Sequence, residues 1–276
     1  MRPRVFLASP IGVSSGAHLL GHFLQHYRRL GVDEFILVLH AEASDSRAED
    51  MIDIMARHGI TPRLQITEFN TRLKLERYRA LVGEYCQPED WVVYADMDEF
   101  HAYPSAIHEL LAGCDAAGYR FVRGRMRDRL AAGGQLQPMQ TSRSLWEQYP
   151  FRASVTARIR QGWDLKVCAA KADVIFDEGG MHCLAYGHDR LRNYQLTYLD
   201  SSGFPGLVDI DHFAWDDTLL TRINRKLAGL GGDSDSTDDP VVMGEYERVR
   251  AHLLAHGSIA ADDIELAPAP VHHYER

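Results

Sequence analysis

The chain has 276 residues, 45% hydrophobic and 25% charged, with a formal net charge of −9 and a pI near 5.8. That acidity argues against nucleic-acid binding or attachment to an anionic membrane, since both need a basic face. Four scattered cysteines, Cys86, Cys114, Cys168 and Cys183, have no metal-ligand spacing and suit a reduced, cytoplasmic setting. No apolar run approaches the roughly 18 residues of a membrane span, so neither an integral membrane anchor nor an export signal is expected.

In chain order, Val5 to Ala8 is a short apolar strand that breaks at Ser9-Pro10-Ile11-Gly12, and a helical pattern begins near Ser15. Leu19, Leu20, Phe23, Leu24, Tyr27 and Leu30 mark its apolar face, and Gly31 closes it. His18, His22 and His26 recur every fourth residue; with no carboxylate or further ligand beside them, they read as a polar flank rather than a zinc site. Glu34 to Leu39 is a second core strand, followed by polar residues from His40 to Asp45. Polar groups at strand carboxyl ends, such as Ser9, His40 and Glu42, are candidate cofactor contacts, because open α/β sheets bind ligands there. A helix over 47–58, a strand over 63–67 and a helix over 71–86 continue the rhythm of a parallel sheet with outer helices.

The stretch Asp90 to Phe100 organises the rest. Trp91 to Ala95 is a buried-strand run that ends abruptly in Asp96, Asp98 and Glu99. Two carboxylates one residue apart can face the same way and share Mg²⁺ or Mn²⁺, hard cations that keep positions open for substrate phosphates. A nucleoside diphosphate compound is the substrate class this favours. The plainer alternative is a solvated loop leading into a helix near Pro104 to Leu111.

Beyond it, residues 118–126 alternate as a strand, and Arg127-Asp128-Arg129 follows. Arg158-Ile159, Leu165 to Ala169 and Val174 to Phe176 read as short strands of an antiparallel extension. Val208 to Trp215 repeats the apolar-to-polar switch, with His212 at its end. Residues 218–230 and 241–256 read as helices on either side of an acidic loop, and the tail from Ala267 as peripheral. The expected organisation is one domain over 1–230, with a nucleotide and metal half at 1–115 and an acceptor half at 116–230. Residues 231–276 add the loop, the last helix and the tail. Met139, Trp146, Tyr149, Trp163 and Tyr186 offer ring or apolar surface on the acceptor side, although most are expected in the core.

Four motifs in order, His26 to Phe35, Asp90-Trp91-Val92-Val93-Tyr94-Ala95-Asp96-Met97-Asp98-Glu99-Phe100, Lys166-Val167 and His212-Phe213-Ala214-Trp215, resemble GT-A glycosyltransferases of the family 2 and family 92 kind. The resemblance runs from about residue 5 to residue 230. It implies a Rossmann-like, mostly parallel sheet with a smaller antiparallel extension, and a transferase that moves sugar from a nucleotide-sugar donor, UDP-linked in the first instance, to an acceptor hydroxyl. It implies Mn²⁺ or Mg²⁺ on Asp96 and Asp98, with His212 completing the metal site and Lys166 or Arg77 assisting at the diphosphate. Inversion, common in these families, requires a carboxylate base; Asp128, Asp177 and Glu178 are the candidates. Gly21 and His40-Ala41-Glu42 depart from the family pattern, so the identity of the nucleotide is open. A silent nucleotide-sugar or glycan-binding relative is the alternative. A dehalogenase-type phosphatase is disfavoured because Phe100 stands where Thr or Val would follow D-x-D.

Overall fold

A computed structural model describes residues 3–13, 17–41, 46–66, 71–176, 180–182, 184, 208–229, 240–259 and 267–268. The first half alternates β1 (Val5–Gly12), α1 (Ala17–Leu30), β2 (Glu34–His40), α2 (Arg47–Arg57), β3 (Leu64–Ile66), α3 (Thr71–Tyr85) and β4 (Trp91–Tyr94). The period-2 geometry of strands divides the core between two faces. Val5, Leu7, Leu37, Leu39 and Val93 pack on one side with the apolar stripes of α1 and α2. Phe6, Ala8, Ile36, Val38, Val92 and Tyr94 pack on the other, beneath Leu75, Tyr78, Leu81 and Val82 of α3. Strands β4, β1, β2 and β3 are parallel neighbours. Helix α1 ends in Arg28 and Arg29, which suit the negative end of its dipole, and Gly31 follows at φ 100°.

The second half contributes β5 (Glu99–Ala102), α4 (Ile107–Ala116), β6 (Phe121–Leu130), α5 (Leu145–Gln148), β7 (Phe151–Ala153), β8 (Leu165–Lys171), β9 (Val208–His212), α6 (Leu219–Leu227), α7 (Pro240–His256) and β10 (Ala267–Pro268). The sheet runs β10-β7-β6-β8-β4-β1-β2-β3. β8 lies antiparallel between β4 and β6, while β9 pairs β6 in parallel and β5 antiparallel. This is the expected α/β architecture: a Rossmann-like sheet flanked by helices, with an antiparallel extension. β6 approaches its neighbours closely at Gly124, where an added Cβ would lie 2.5 Å from Cys168 Sγ and 2.7 Å from the Ile210 side chain. Helices α6 and α7 pack together through Leu219, Ile223, Val249 and Leu253 in a third cluster that includes Trp215. Among the described residues, no helix is long and apolar enough to cross a membrane.

Several boundaries differ from the sequence expectation for physical reasons. β1 does not break at Ser9 but continues to Gly12, paired with β2 from Phe6↔Glu34 to Gly12↔His40. The Arg4 and Ala8 carbonyls accept from the Trp91 and Ala95 amides, so even-numbered residues of β1 turn their backbone toward β4. Pro10 shares that side beyond the last β1–β4 pair, Ala8↔Tyr94, where the sheet asks for no N–H. Arg158-Ile159 is not a strand: residues 156–160 form a wide helical turn ended by left-handed Gln161, φ 57°. Val174 to Phe176 reduces to one bridge between Phe176 and Leu184. β6 extends through Asp128 to Leu130, and β10 in the tail joins the sheet edge at β7.

Candidate active site

β4 delivers its carboxylates into a tight turn. The Asp96 amide donates to Glu99 Oε2 (3.0 Å) and the Glu99 amide to the Asp96 carbonyl (2.9 Å), so the chain reverses through Met97 and Asp98 directly into β5. β5 sets Glu99 opposite His212 of β9, and β9 sets His212 beside Asp128 of β6. The Phe213 amide donates to the Asp98 carbonyl (2.8 Å), which fixes the D-x-D turn against the end of β9.

Two lysines meet at Asp96. Lys74 of α3 donates to Oδ1 (2.7 Å), and Lys166 of β8 donates to Oδ2 (2.9 Å). Lys166 also donates to both Glu99 oxygens, at 2.8 and 2.7 Å, and is 1% exposed. Burial opposes ionisation of Asp96, but Lys166 and then Lys74 hold its carboxyl far below the usual range. Burial likewise opposes the Lys166 charge, yet Asp96 and Glu99 raise its pKa above the ordinary lysine value.

Asp128 is completely buried. Its carboxylate accepts from the Thr156 amide (2.7 Å), Thr156 Oγ1 (2.8 Å), His212 Nδ1 (2.8 Å) and Trp215 Nε1 (2.9 Å). The bond from His212 Nδ1 fixes that proton on the Asp128 side and leaves Nε2 directed at Asp98, 3.6 Å from its Oδ2. Burial disfavours the imidazolium, but the hydrogen bond to Asp128 and the nearby Asp98 carboxylate raise the His212 pKa to about 10. Asp98 is opposed by burial too, and its contact with His212 lowers its pKa.

The donor set can be compared with what a divalent cation requires. Asp98 Oδ2 and His212 Nε2 are too far apart for a good hydrogen bond, but each would lie about 2.0–2.2 Å from an ion between them. A histidine that gives its other ring N–H to a buried carboxylate is the arrangement that fixes tautomer and ring orientation in metal sites. These two residues fit a metal. Asp96 does not fit in the same way, since both its oxygens already hold ammonium groups. Among the described residues, no group of three or more His, Cys, Asp or Glu is gathered for a metal, so remaining positions would fall to substrate oxygens or water.

The other sequence candidates are more dispersed. Asp128, a candidate base expected just after a strand, lies inside β6 with its oxygens fully engaged, which removes it from acceptor reach. Ser9 is buried in β1, its Oγ 3.4 Å from the Pro10 carbonyl. His40 ends β2 half-buried, and its carbonyl accepts from the Val13 amide. Arg77 is exposed on α3. Glu42, Asp177 and Glu178 lie outside the described residues, as does Tyr186. Tyr149 is core, Trp146 is half-buried and Trp163 is 56% exposed. The α1 histidines serve separate partners: His18 Nε2 lies 3.1 Å from Asp216, His22 Nε2 3.4 Å from the Gln140 carbonyl, and His26 Nε2 3.1 Å from the His101 carbonyl. Lys74 belongs to none of the four motifs, although its spacing with Tyr78, Leu81 and Val82 places it on the sheet-facing stripe of α3.

No family model and no curated protein matches the chain. Solved structures with a similar fold include a 4-diphosphocytidyl-2C-methyl-D-erythritol synthase, 16% identical with a TM-score of 0.34, covering 62% of this chain and 76% of that one. S. aureus TarS 1–349 in complex with UDP-GlcNAc is 12% identical with a TM-score of 0.35, over 64% of this chain and 49% of that one. S. aureus TarS is 10% identical with a TM-score of 0.36, over 81% and 40%. The chain thus spans half or less of the TarS structures it matches. Likenesses this distant carry no argument about activity, which rests on the side chains above.

Proposed function

We propose that this chain is a metal-dependent glycosyltransferase that moves a sugar from a nucleoside-diphosphate sugar, UDP-linked in the first instance, to an acceptor hydroxyl with inversion. The observation that carries the reading is the Asp98–His212 pair at 3.6 Å, with His212 Nδ1 tied to buried Asp128 at the carboxyl end of the sheet. Asp98 and His212 would hold Mn²⁺ or Mg²⁺, which when bound supplies positive charge to the departing nucleoside diphosphate. Asp128 orients His212. Lys74 and Lys166 place two further cations beside the D-x-D turn and keep Asp96 ionised, so that the wall facing the diphosphate is not purely acidic. The acceptor proton then goes to a carboxylate other than Asp128, and Glu178 is retained for that role from the family resemblance.

Calorimetric titration with UDP, GDP and their sugar derivatives, with and without Mn²⁺, tests this on the native chain and on Asp98→Ala and His212→Ala. Metal-dependent binding of one nucleotide, lost in both variants, is expected. Absence of nucleotide binding under every metal condition would refute the reading and return the silent relative to first place.

A further inference from the structure

Away from the D-x-D turn, the outer side of α1 forms a cleft of about 660 Å³ with the end of α2 and the segment 141–146. That volume is in the range of small-molecule sites. In a chain of net charge −9, its lining includes three arginines (Arg29, Arg57, Arg143), four histidines (His18, His22, His26, His58) and no carboxylate. Thr141, Ser142, Ser144 and Gln25 add neutral hydrogen-bonding groups, while Ile54 and Trp146 supply apolar surface.

Among the described residues, the guanidinium groups of Arg29, Arg57 and Arg143 have no ion-pair partner, and all three residues are exposed. His18 Nε2, on the same lining, lies 3.1 Å from Asp216. Burial, and behind it the charges of Arg28 and Arg57, push the His58 imidazole below its usual pKa; burial does the same to His22, with His18 adding to it. The cleft therefore resists further positive charge. A concave surface of one sign focuses its field on a counter-ion, and arginine forks match phosphate oxygens two at a time.

We infer that this cleft binds a small polyanion, a ligand bearing two or more phosphate groups, at a site separate from Asp98 and His212. The two sites share a wall: the Trp146 ring lies 5.6 Å from Phe100 and 5.4 Å from Phe213, the residues that follow Glu99 and His212. The site is independent of the metal and of the transferase reading.

Inorganic pyrophosphate is the probe, titrated calorimetrically in EDTA at low ionic strength against the native chain, Asp98→Ala, and Arg57→Ala/Arg143→Ala. Binding is expected to survive EDTA and Asp98→Ala, to weaken as salt rises, and to fall by about tenfold for each arginine removed. A second variant uses Gly21, which lines the cleft and whose added Cβ would meet nothing within 4 Å. Gly21→Glu plants a carboxylate there without a clash and replaces a helix-weakening residue. It should abolish binding while the thermal midpoint holds. No pyrophosphate binding in EDTA, or binding indifferent to both cleft variants, would overturn the inference. Loss in Asp98→Ala equal to that in the arginine variant would assign the anion to the D-x-D turn and overturn it equally.

Discussion

Lys166→Met should be one of the most costly single substitutions in the chain. The ammonium is the cation for two carboxylates, but they depend on it unequally. Asp96 is 35% exposed and keeps Lys74 at 2.7 Å. Glu99 is 2% exposed, and among the described residues no second cation pairs with it; it would retain only the Asp96 amide. Stranding one charge of a buried pair costs about 3–5 kcal/mol, and nearly all of that falls on Glu99. Urea unfolding followed by circular dichroism reads the loss as a lower midpoint at unchanged slope. Lys166→Met/Glu99→Gln removes the stranded charge and should recover more than half of it. The pH dependence has a definite sign. The native Lys166 pKa is raised, so its contribution is present below the unfolded lysine value of about 10.4 and fades as pH climbs through the folded value. A loss below about 1 kcal/mol, or a double variant no more stable than the single, would refute the idea that Lys166 neutralises a buried acid.

Two other substitutions test neighbouring parts of the structure. Asp128→Asn leaves one acceptor oxygen for four donors and removes the charge facing His212. It should cost about 2–4 kcal/mol in urea unfolding and weaken Mn²⁺ binding about 10–100-fold, whereas a variant lacking only a proton acceptor would leave both measurements unchanged. Asp216 is opposed by burial, but His18, Arg222 and Thr218 bring its pKa down to about 2. A depressed carboxyl stabilises above its unfolded pKa and loses that contribution as pH falls through the folded one. Asp216→Asn should therefore flatten the fall in melting temperature between about pH 4 and pH 2; an unchanged acid profile would remove this pair from the account.

The fold was legible wherever strands are buried on both faces and helices carry one apolar stripe. Val5 to Ala8, Glu34 to Leu39 and Trp91 to Ala95 needed only local pattern, and the position of Asp96 and Asp98 followed from the end of the last run. What local pattern cannot convey is which distant chain neutralises a charge. The resemblance points to Lys166 and to Arg77, which is exposed, while Lys74 on the same helix belongs to no motif. Asp128 stands between two arginines in the sequence, yet it lies in the wholly buried end of β6, where its carboxylate meets Thr156, His212 and Trp215 and the neighbouring Arg129 is buried against Asp211. Thr156 caps that carboxylate with its amide and hydroxyl, and this long-range bond accompanies a helical turn where Arg158-Ile159 reads as a short strand. β5 was hidden for a related reason: Glu99 and His101 are buried polar residues, and burial of polar side chains is visible only with their partners present.

The place of β8 between β4 and β6 bears on how the chain can acquire its structure during synthesis. β4 is sheltered on one side by β1, but its other edge is met by β8, which leaves the ribosome only after the helix and strands that follow β4. Until then Trp91 to Tyr94 present an open apolar edge of the kind that recruits other strands, and Glu99 has no lysine on β8 to meet it. The first half of the chain is thus not a self-sufficient unit. A fragment ending before Leu165 should aggregate rather than fold, and the late strand that closes the sheet also delivers the cation that makes its acidic turn tolerable.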